Sequence, residues 1–141
     1  MECKTILVVD DDPINLKLTA ILLRREGYKI VTVPDAEEAL VILNTLHPDL
    51  MLIDIRLPGM DGLELTRRIK QNPRTSDVVV VALTACAMRG DDQRAFESGC
   101  DGYITKPIDT TSLGSRVGGY LEHRVPAGLA YTATAPDCVG A

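Results

Sequence analysis

Five short apolar runs, each giving way to polar or chain-breaking residues, divide this chain of 141 residues and leave few folds open to it. They are Lys4–Val9 (KTILVV), Tyr28–Val33 (YKIVTV), Asp49–Ile53 (DLMLI), Val78–Leu83 (VVVVAL) and Gly102–Thr105 (GYIT). Each is too short for a stable helix, and most are rich in β-branched residues, so they read as strands buried on both faces. The intervening segments carry helical periodicity. Asp12-Pro13 is a helix start, with Asp as N-cap and Pro in the first turn. Ile14, Leu18, Ile21 and Leu22 then define one apolar face, and Gly27 ends the helix. Ala36, Ala39, Leu40 and Leu43 mark a second helix ending near His47-Pro48. Turns through Leu57-Pro58-Gly59 and Asp61-Gly62 lead into a third, with Leu65 and Ile69, that stops before Asn72-Pro73. Met88, Asp92, Ala95 and Phe96 space a weaker fourth helix that Gly99 closes, and a fifth is expected from Asp109 to His123.

Strand–helix alternation predicts an α/β fold, a parallel sheet covered by helices on both faces. Ligand sites in such sheets gather at the carboxyl ends of the strands. Asp10 and Asp11 follow the first strand, Asp54 the third, Thr84 the fourth and Lys106 the fifth. A parallel arrangement brings all five to one edge.

Composition narrows the function. The formal net charge is −5 and the basic residues are scattered, which disfavours nucleic-acid binding. No run is long and apolar enough for a membrane span or a signal peptide. The cysteines, Cys3, Cys86, Cys100 and Cys138, form no CxxC pair and are read as reduced thiols of a cytoplasmic protein, Cys86 and Cys100 as small, partly buried apolar residues. One domain is expected over 1–123, with a flexible tail or the start of a linker over 124–141, where Ala, Pro, Gly and Thr dominate. Gly114, Gly118 and Gly119 weaken the last helix, each costing about 1 kcal/mol relative to Ala. Either they admit close approach by another backbone, or the helix frays.

Three carboxylates in one pocket need compensation, since unit charges about 4 Å apart repel by roughly 4 kcal/mol at an effective dielectric near 20. A hard divalent cation supplies it, and Mg²⁺ suits one or two carboxylates, waters and phosphate oxygens. An ionised carboxylate is also a competent nucleophile for phosphoryl transfer. Lys106 would neutralise incoming charge, and the Thr84 hydroxyl would hydrogen-bond a phosphoryl oxygen. Asp12 is read as a helix cap rather than a metal ligand.

Four segments in order, ILVVDDDPIN at 6–15, LMLIDIRLPGMDGLEL at 50–65, VVALTA at 80–85 and DGYITKP at 101–107, resemble the receiver domains of bacterial two-component response regulators. The resemblance covers about residues 4 to 123. It implies a flavodoxin-like (βα)5 doubly wound fold with strand order 2-1-3-4-5. It implies Asp54 as phosphoacceptor, with Asp10, Asp11, Asp54 and the backbone carbonyl of Arg56 around Mg²⁺, for which Mn²⁺ can substitute. Thr84 and Tyr103 would be the switch residues, Lys106 the conserved-pattern lysine, and Lys106–Pro107 a cis peptide. The implied phosphodonor is a phosphohistidine of a histidine kinase or histidine phosphotransfer domain. Output would pass through the helix 4–strand 5–helix 5 face to a downstream protein, from a monomer or weak dimer that acts only on its own phosphorylation state. The Arg56 side chain is expected to overhang the site and modulate acyl-phosphate lifetime.

Other functions fit less well. A phosphatase with an aspartyl-phosphate intermediate needs an acid two residues after the nucleophile, where this chain has Arg56. There is no GxxxxGK[ST] loop, and no GxGxxG follows the first strand. No helix-turn-helix follows Arg124, and a phosphorylation-independent scaffold has no use for the full acid, threonine and lysine set. The alternative left open is a receiver module excised from a hybrid histidine kinase or multidomain regulator.

Overall fold

In the computed structural model the described residues are 4–84, 91–106 and 108–122, with side chains described at all of these except 91, 92 and 95. Strands and helices alternate: β1 (Thr5–Val9), α1 (Pro13–Arg25), β2 (Lys29–Val33), α2 (Ala36–Ile42), β3 (Leu50–Asp54), α3 (Gly62–Gln71), β4 (Val79–Thr84), α4 (Asp91–Ser98), β5 (Gly102–Thr105) and α5 (Leu113–Glu122). The strands form one parallel sheet in the order β2-β1-β3-β4-β5. This is the flavodoxin-like arrangement expected. The expected strands shift by one residue at most at either end. The fifth helix starts at Leu113 rather than Asp109, because Asp109 caps the turn before it: its carboxylate accepts from the Thr111 amide at 2.9 Å, and its carbonyl from the Leu113 amide at 3.1 Å.

Alternation along the strands sorts the core into two layers. Leu7, Val9, Met51, Ile53, Val80 and Ala82 meet Ala36, Ala39, Leu65 and Ile69 from α2 and α3. Ile6, Val8, Leu50, Leu52, Val81 and Leu83 meet Ala20, Leu23, Leu113 and Val117 from α1 and α5.

The expected apolar face of α1 is corrected in part. Leu22 packs against the core and Leu18 is partly buried, but Ile14 and Ile21 are exposed, Ile14 by 74%, while Thr19, Ala20 and Leu23 are buried and Leu16 packs beside them. Both stripes have helical spacing, so periodicity could not choose between them; the sheet takes the one containing the smaller residues, which lets the helix lie close. The ends of α1 are as read, whereas α2 stops at Ile42 rather than near His47-Pro48. The Asp12 carboxylate accepts from the Ile14 amide at 2.9 Å, and Gly27 adopts φ 98°. Its amide bonds to Arg24 O at 3.0 Å and that of Tyr28 to Leu23 O at 3.3 Å, the paired bonds of a Schellman cap.

At the amino edge of the sheet, carboxylates have a structural task. Asp49 Oδ2 accepts from the Thr5 amide and Asp101 Oδ2 from the Val80 amide, each at 2.8 Å. Lys70 binds that same Asp101 oxygen at 2.9 Å and the Val78 carbonyl at 2.6 Å. These acids replace backbone acceptors that the sheet lacks where its strands begin.

The glycines of α5 are explained in part. A Cβ at Gly114 would lie 2.7 Å from the side chain of Glu26, and one at Gly118 would lie 3.3 Å from the Tyr28 hydroxyl, so both admit side chains from the end of α1 and the start of β2. They serve contacts within the molecule rather than the approach of another backbone. Cys100 is buried as expected, with its thiol 3.7 Å from Thr66 Oγ1. Cys3, Cys86, Cys138, Met88, Pro107 with its expected cis peptide, and the tail over 124–141 lie outside the described residues. No helix among the described residues is long and apolar enough to cross a membrane.

Candidate functional site

The register of adjacent strands assembles the site. β1 and β3 pair with Ile6 opposite Leu50 and Val9 opposite Ile53, so one more step sets Asp10 level with Asp54. Ile6, Val8 and Asp10 share a parity, as do Leu50, Leu52 and Asp54, so the two acids are matched in register at the end of the sheet. Strand β4 places Leu83 opposite Asp54 and ends at Thr84, which is buried and level with Thr105 of β5. The chain leaving β5 returns Lys106 to this edge, its amide bonding Thr84 O at 2.7 Å.

Two acids of the site are withdrawn from water: Asp10 is 1% exposed and Asp54 6%. Lys106 Nζ lies 2.8 Å from Asp54 Oδ2 and 3.3 Å from Asp10 Oδ2. Asp54 Oδ1 accepts from the Arg56 amide at 3.0 Å, and Asp10 Oδ1 from the Asp12 amide at 3.0 Å. Asp11 is exposed, and Asp10, Asp11 and Asp54 each offer an oxygen within 4.8 Å of the others.

The electrostatics follow from this packing. Burial pushes the Asp10 carboxyl above its ordinary value, and the Asp54 charge adds to the shift; the Asp12 amide and Lys106 oppose it without cancelling it. Burial also works against the charge on Lys106, but its hydrogen bond to Asp54 and the charges of Asp54 and Asp10 outweigh that, and its pKa rises. Lys106 is therefore a fixed cation at neutral pH.

The chemistry of the donor set fits a hard divalent cation. Asp10 Oδ2 is buried within ion-pair distance of Lys106, yet has no hydrogen-bond partner. Lys106 is shared between this oxygen and Asp54 Oδ2, so a second cation would complete the coordination of the pair. The exposed Asp11 leaves one side open to water, as Mg²⁺ requires. The Arg56 amide bond to Asp54 holds the backbone of residue 56 beside the carboxylate, consistent with a role for its carbonyl.

Two contributors went unread in the sequence. Gly62 passes for an ordinary turn glycine in MDG, but it is the first residue of α3, and a Cβ there would overlap the Asp54 carbonyl oxygen and lie 2.9 Å from Ile55 Cα. Phe96 was read as part of an apolar helix face; it is 48% exposed, with its ring edge-on to Tyr103. No local pattern signals either, because both contacts join segments distant in the chain.

An acidic cleft with one lysine, at the carboxyl edge of a five-stranded doubly wound sheet, defines a class of phosphoryl-accepting signalling domain. A family model for the response regulator receiver domain matches residues 6–118. The polar-differentiation response regulator DivK of Brucella ovis is 37% identical over 118 residues, spanning 84% of this chain and 96% of the relative. Among solved structures, a CheY-like receiver domain protein from Methanospirillum hungatei superposes with a TM-score of 0.80 at 29% identity, covering 87% of this chain and 97% of that one. The receiver domain of a sensor histidine kinase from Pseudomonas aeruginosa, with a magnesium ion coordinated in its active site cleft, gives 0.79 at 30% identity, covering 86% and 99%. The chain belongs to the response regulator receiver domain family, and its function lies in two-component signalling.

Proposed function

We propose that this protein is a phosphorylation switch in which Asp54 takes a phosphoryl group from a phosphohistidine of a histidine kinase or histidine phosphotransfer protein. The single observation that carries the reading is the convergence of Asp10, Asp11 and Lys106 on Asp54 from two segments distant from it in sequence. In the transfer, a carboxylate oxygen of Asp54 forms the new P–O bond as the donor P–N bond breaks, and the released imidazole takes up a proton. Lys106 holds Asp54 in place and stabilises negative charge on the phosphoryl oxygens. Thr84 donates its hydroxyl to one of those oxygens. Asp10, Asp11, Asp54 and the Arg56 carbonyl would hold Mg²⁺ or Mn²⁺, which neutralises charge on the transferring group when bound. The chain is no enzyme toward other substrates on this reading, since the position two residues beyond Asp54 carries Arg56 rather than an acid.

Phosphorylation draws Thr84 toward the site, Tyr103 turns inward, and the α4–β5–α5 face changes for a downstream protein. The protein acts in the cytoplasm, as a monomer or weak dimer, and binds neither nucleic acid nor membrane.

Incubation with acetyl phosphate and Mg²⁺, followed by intact mass, tests the proposal. One phosphoryl group should appear on the wild type and be absent from Asp54→Asn; a group retained in that variant would refute the assignment. The exposed Arg56 side chain should set acyl-phosphate lifetime, so Arg56→Ala is expected to change the dephosphorylation rate several-fold, and an unchanged rate would remove it from this role.

A further inference from the structure

Tyr103 has an anchored backbone and a ring held from one side. Its carbonyl accepts from the Tyr120 hydroxyl at 3.2 Å and from the Arg116 guanidinium at 3.3 Å. Both donors belong to α5, so β5 cannot shift here without losing two hydrogen bonds. Any movement of Tyr103 is therefore a rotation of its side chain. The ring is partly buried and meets Phe96 edge-on, with centroids 5.7 Å apart and planes at 81°. Among the described residues this is the one aromatic pair. Phe96 is half exposed on a helix whose neighbouring Gln93, Arg94 and Glu97 are exposed and polar. An apolar ring gains little from burial there, so its contact with Tyr103 is what the position supplies.

Tyr103 is level with Ala82 on β4, and Thr84 lies two residues further along the same face. A ring turning inward along that face toward Thr84 leaves the edge-on geometry. We propose that Phe96 is a positioning residue that holds the Tyr103 ring in the edge-on orientation it has here, called outward by contrast with a ring turned to Thr84, and so sets how readily the domain switches. The inference rests on the reading that Tyr103 responds to phosphorylation of Asp54. By linkage, whatever favours the outward ring disfavours the phosphorylated state to the same degree. An edge-to-face pair of ordinary strength corresponds to about a two- to tenfold bias in the ring equilibrium.

The test follows the Tyr103 ring by NMR in the tyrosine-labelled protein, its signal assigned through Tyr103→Phe. Phe96→Ala should move the unphosphorylated equilibrium about two- to tenfold toward the inward ring and speed phosphorylation by acetyl phosphate with Mg²⁺ by a similar factor. Phe96→Tyr, which keeps an edge-on ring, should restore both. An unchanged ring equilibrium in Phe96→Ala would overturn the proposal, and so would a Phe96→Tyr variant that behaves like Phe96→Ala. The ring measurement needs no phosphoryl group. A wild type that gains none would sink the reading of Asp54, whereas the ring equilibrium alone decides whether Phe96 holds Tyr103.

Discussion

Asp10 is the acid of the site whose protonation burial alters. Its buried carboxyl has a raised pKa, so between the ordinary and the raised value the folded protein keeps a proton that the unfolded chain has lost. Stability in the absence of metal must then fall as pH rises through that window. Asp10→Asn should accordingly raise the melting temperature of the metal-free protein at neutral pH. It should also abolish stabilisation by Mg²⁺, which for the wild type amounts to about 2.7 kcal/mol at a hundred times the dissociation constant. Thermal melts with EDTA and with Mg²⁺ check both outcomes; an Asp10→Asn variant that Mg²⁺ still stabilises fully would exclude Asp10 as a ligand. Gly62→Ala tests the floor of the site. Its methyl group would collide with the Asp54 carbonyl, a backbone atom that cannot swing aside. A loss of about 1–3 kcal/mol is expected in urea unfolding, with slower phosphorylation of Asp54 in the fraction that remains folded.

Among the elements, α5 offers the sharpest contrast. A Cβ at Gly119 meets nothing within 4 Å, while one at Gly114 runs into the Glu26 side chain. Gly119→Ala should therefore stabilise the protein by about 1 kcal/mol through helix propensity alone. Gly114→Ala should gain less, since Glu26 has to move. Paired denaturant titrations separate the two, and equal gains would mean that Glu26 yields at no cost. Helix α1 shows what periodicity leaves open. Ile14, Leu18, Ile21 and Leu22 make a sound apolar stripe, yet the sheet buries Thr19, Ala20 and Leu23. Leu22 of that stripe does reach the core, and which other positions are buried depends on how the helix fits the surface beneath. The caps at Asp12 and Gly27 were legible because each acts within a few residues of itself.

Over the whole molecule, charge is divided between the two edges of the sheet. Asp49 and Asp101 at the amino edge are committed to backbone amides, while Asp10, Asp11 and Asp54 at the carboxyl edge remain able to take a cation. Lys106 ties the carboxyl edge together. Its pKa is raised in the fold, so its contribution is complete below the ordinary lysine value and is lost only as pH climbs through the raised one. Lys106→Met should remove that alkaline loss and leave Asp10 and Asp54 repelling each other at neutral pH. Urea unfolding across the alkaline range would reveal it as a flattened pH dependence; an unaltered profile would show that Lys106 contributes no such term.

The strand–helix alternation, the sheet order and the edge on which Asp10, Asp54, Thr84 and Lys106 fall were all present in the linear chain. Burial pattern, capping and parallel pairing are rules that short segments obey, and the ordered family motifs carry the rest. The tertiary structure alone decided which residues of α1 are buried, that Gly62 floors the Asp54 site, that Phe96 meets Tyr103 edge-on, and that Asp10 and Asp54 share Lys106. Each of these depends on atoms brought within a few ångströms by segments distant in sequence, and local preference holds no information about that distance.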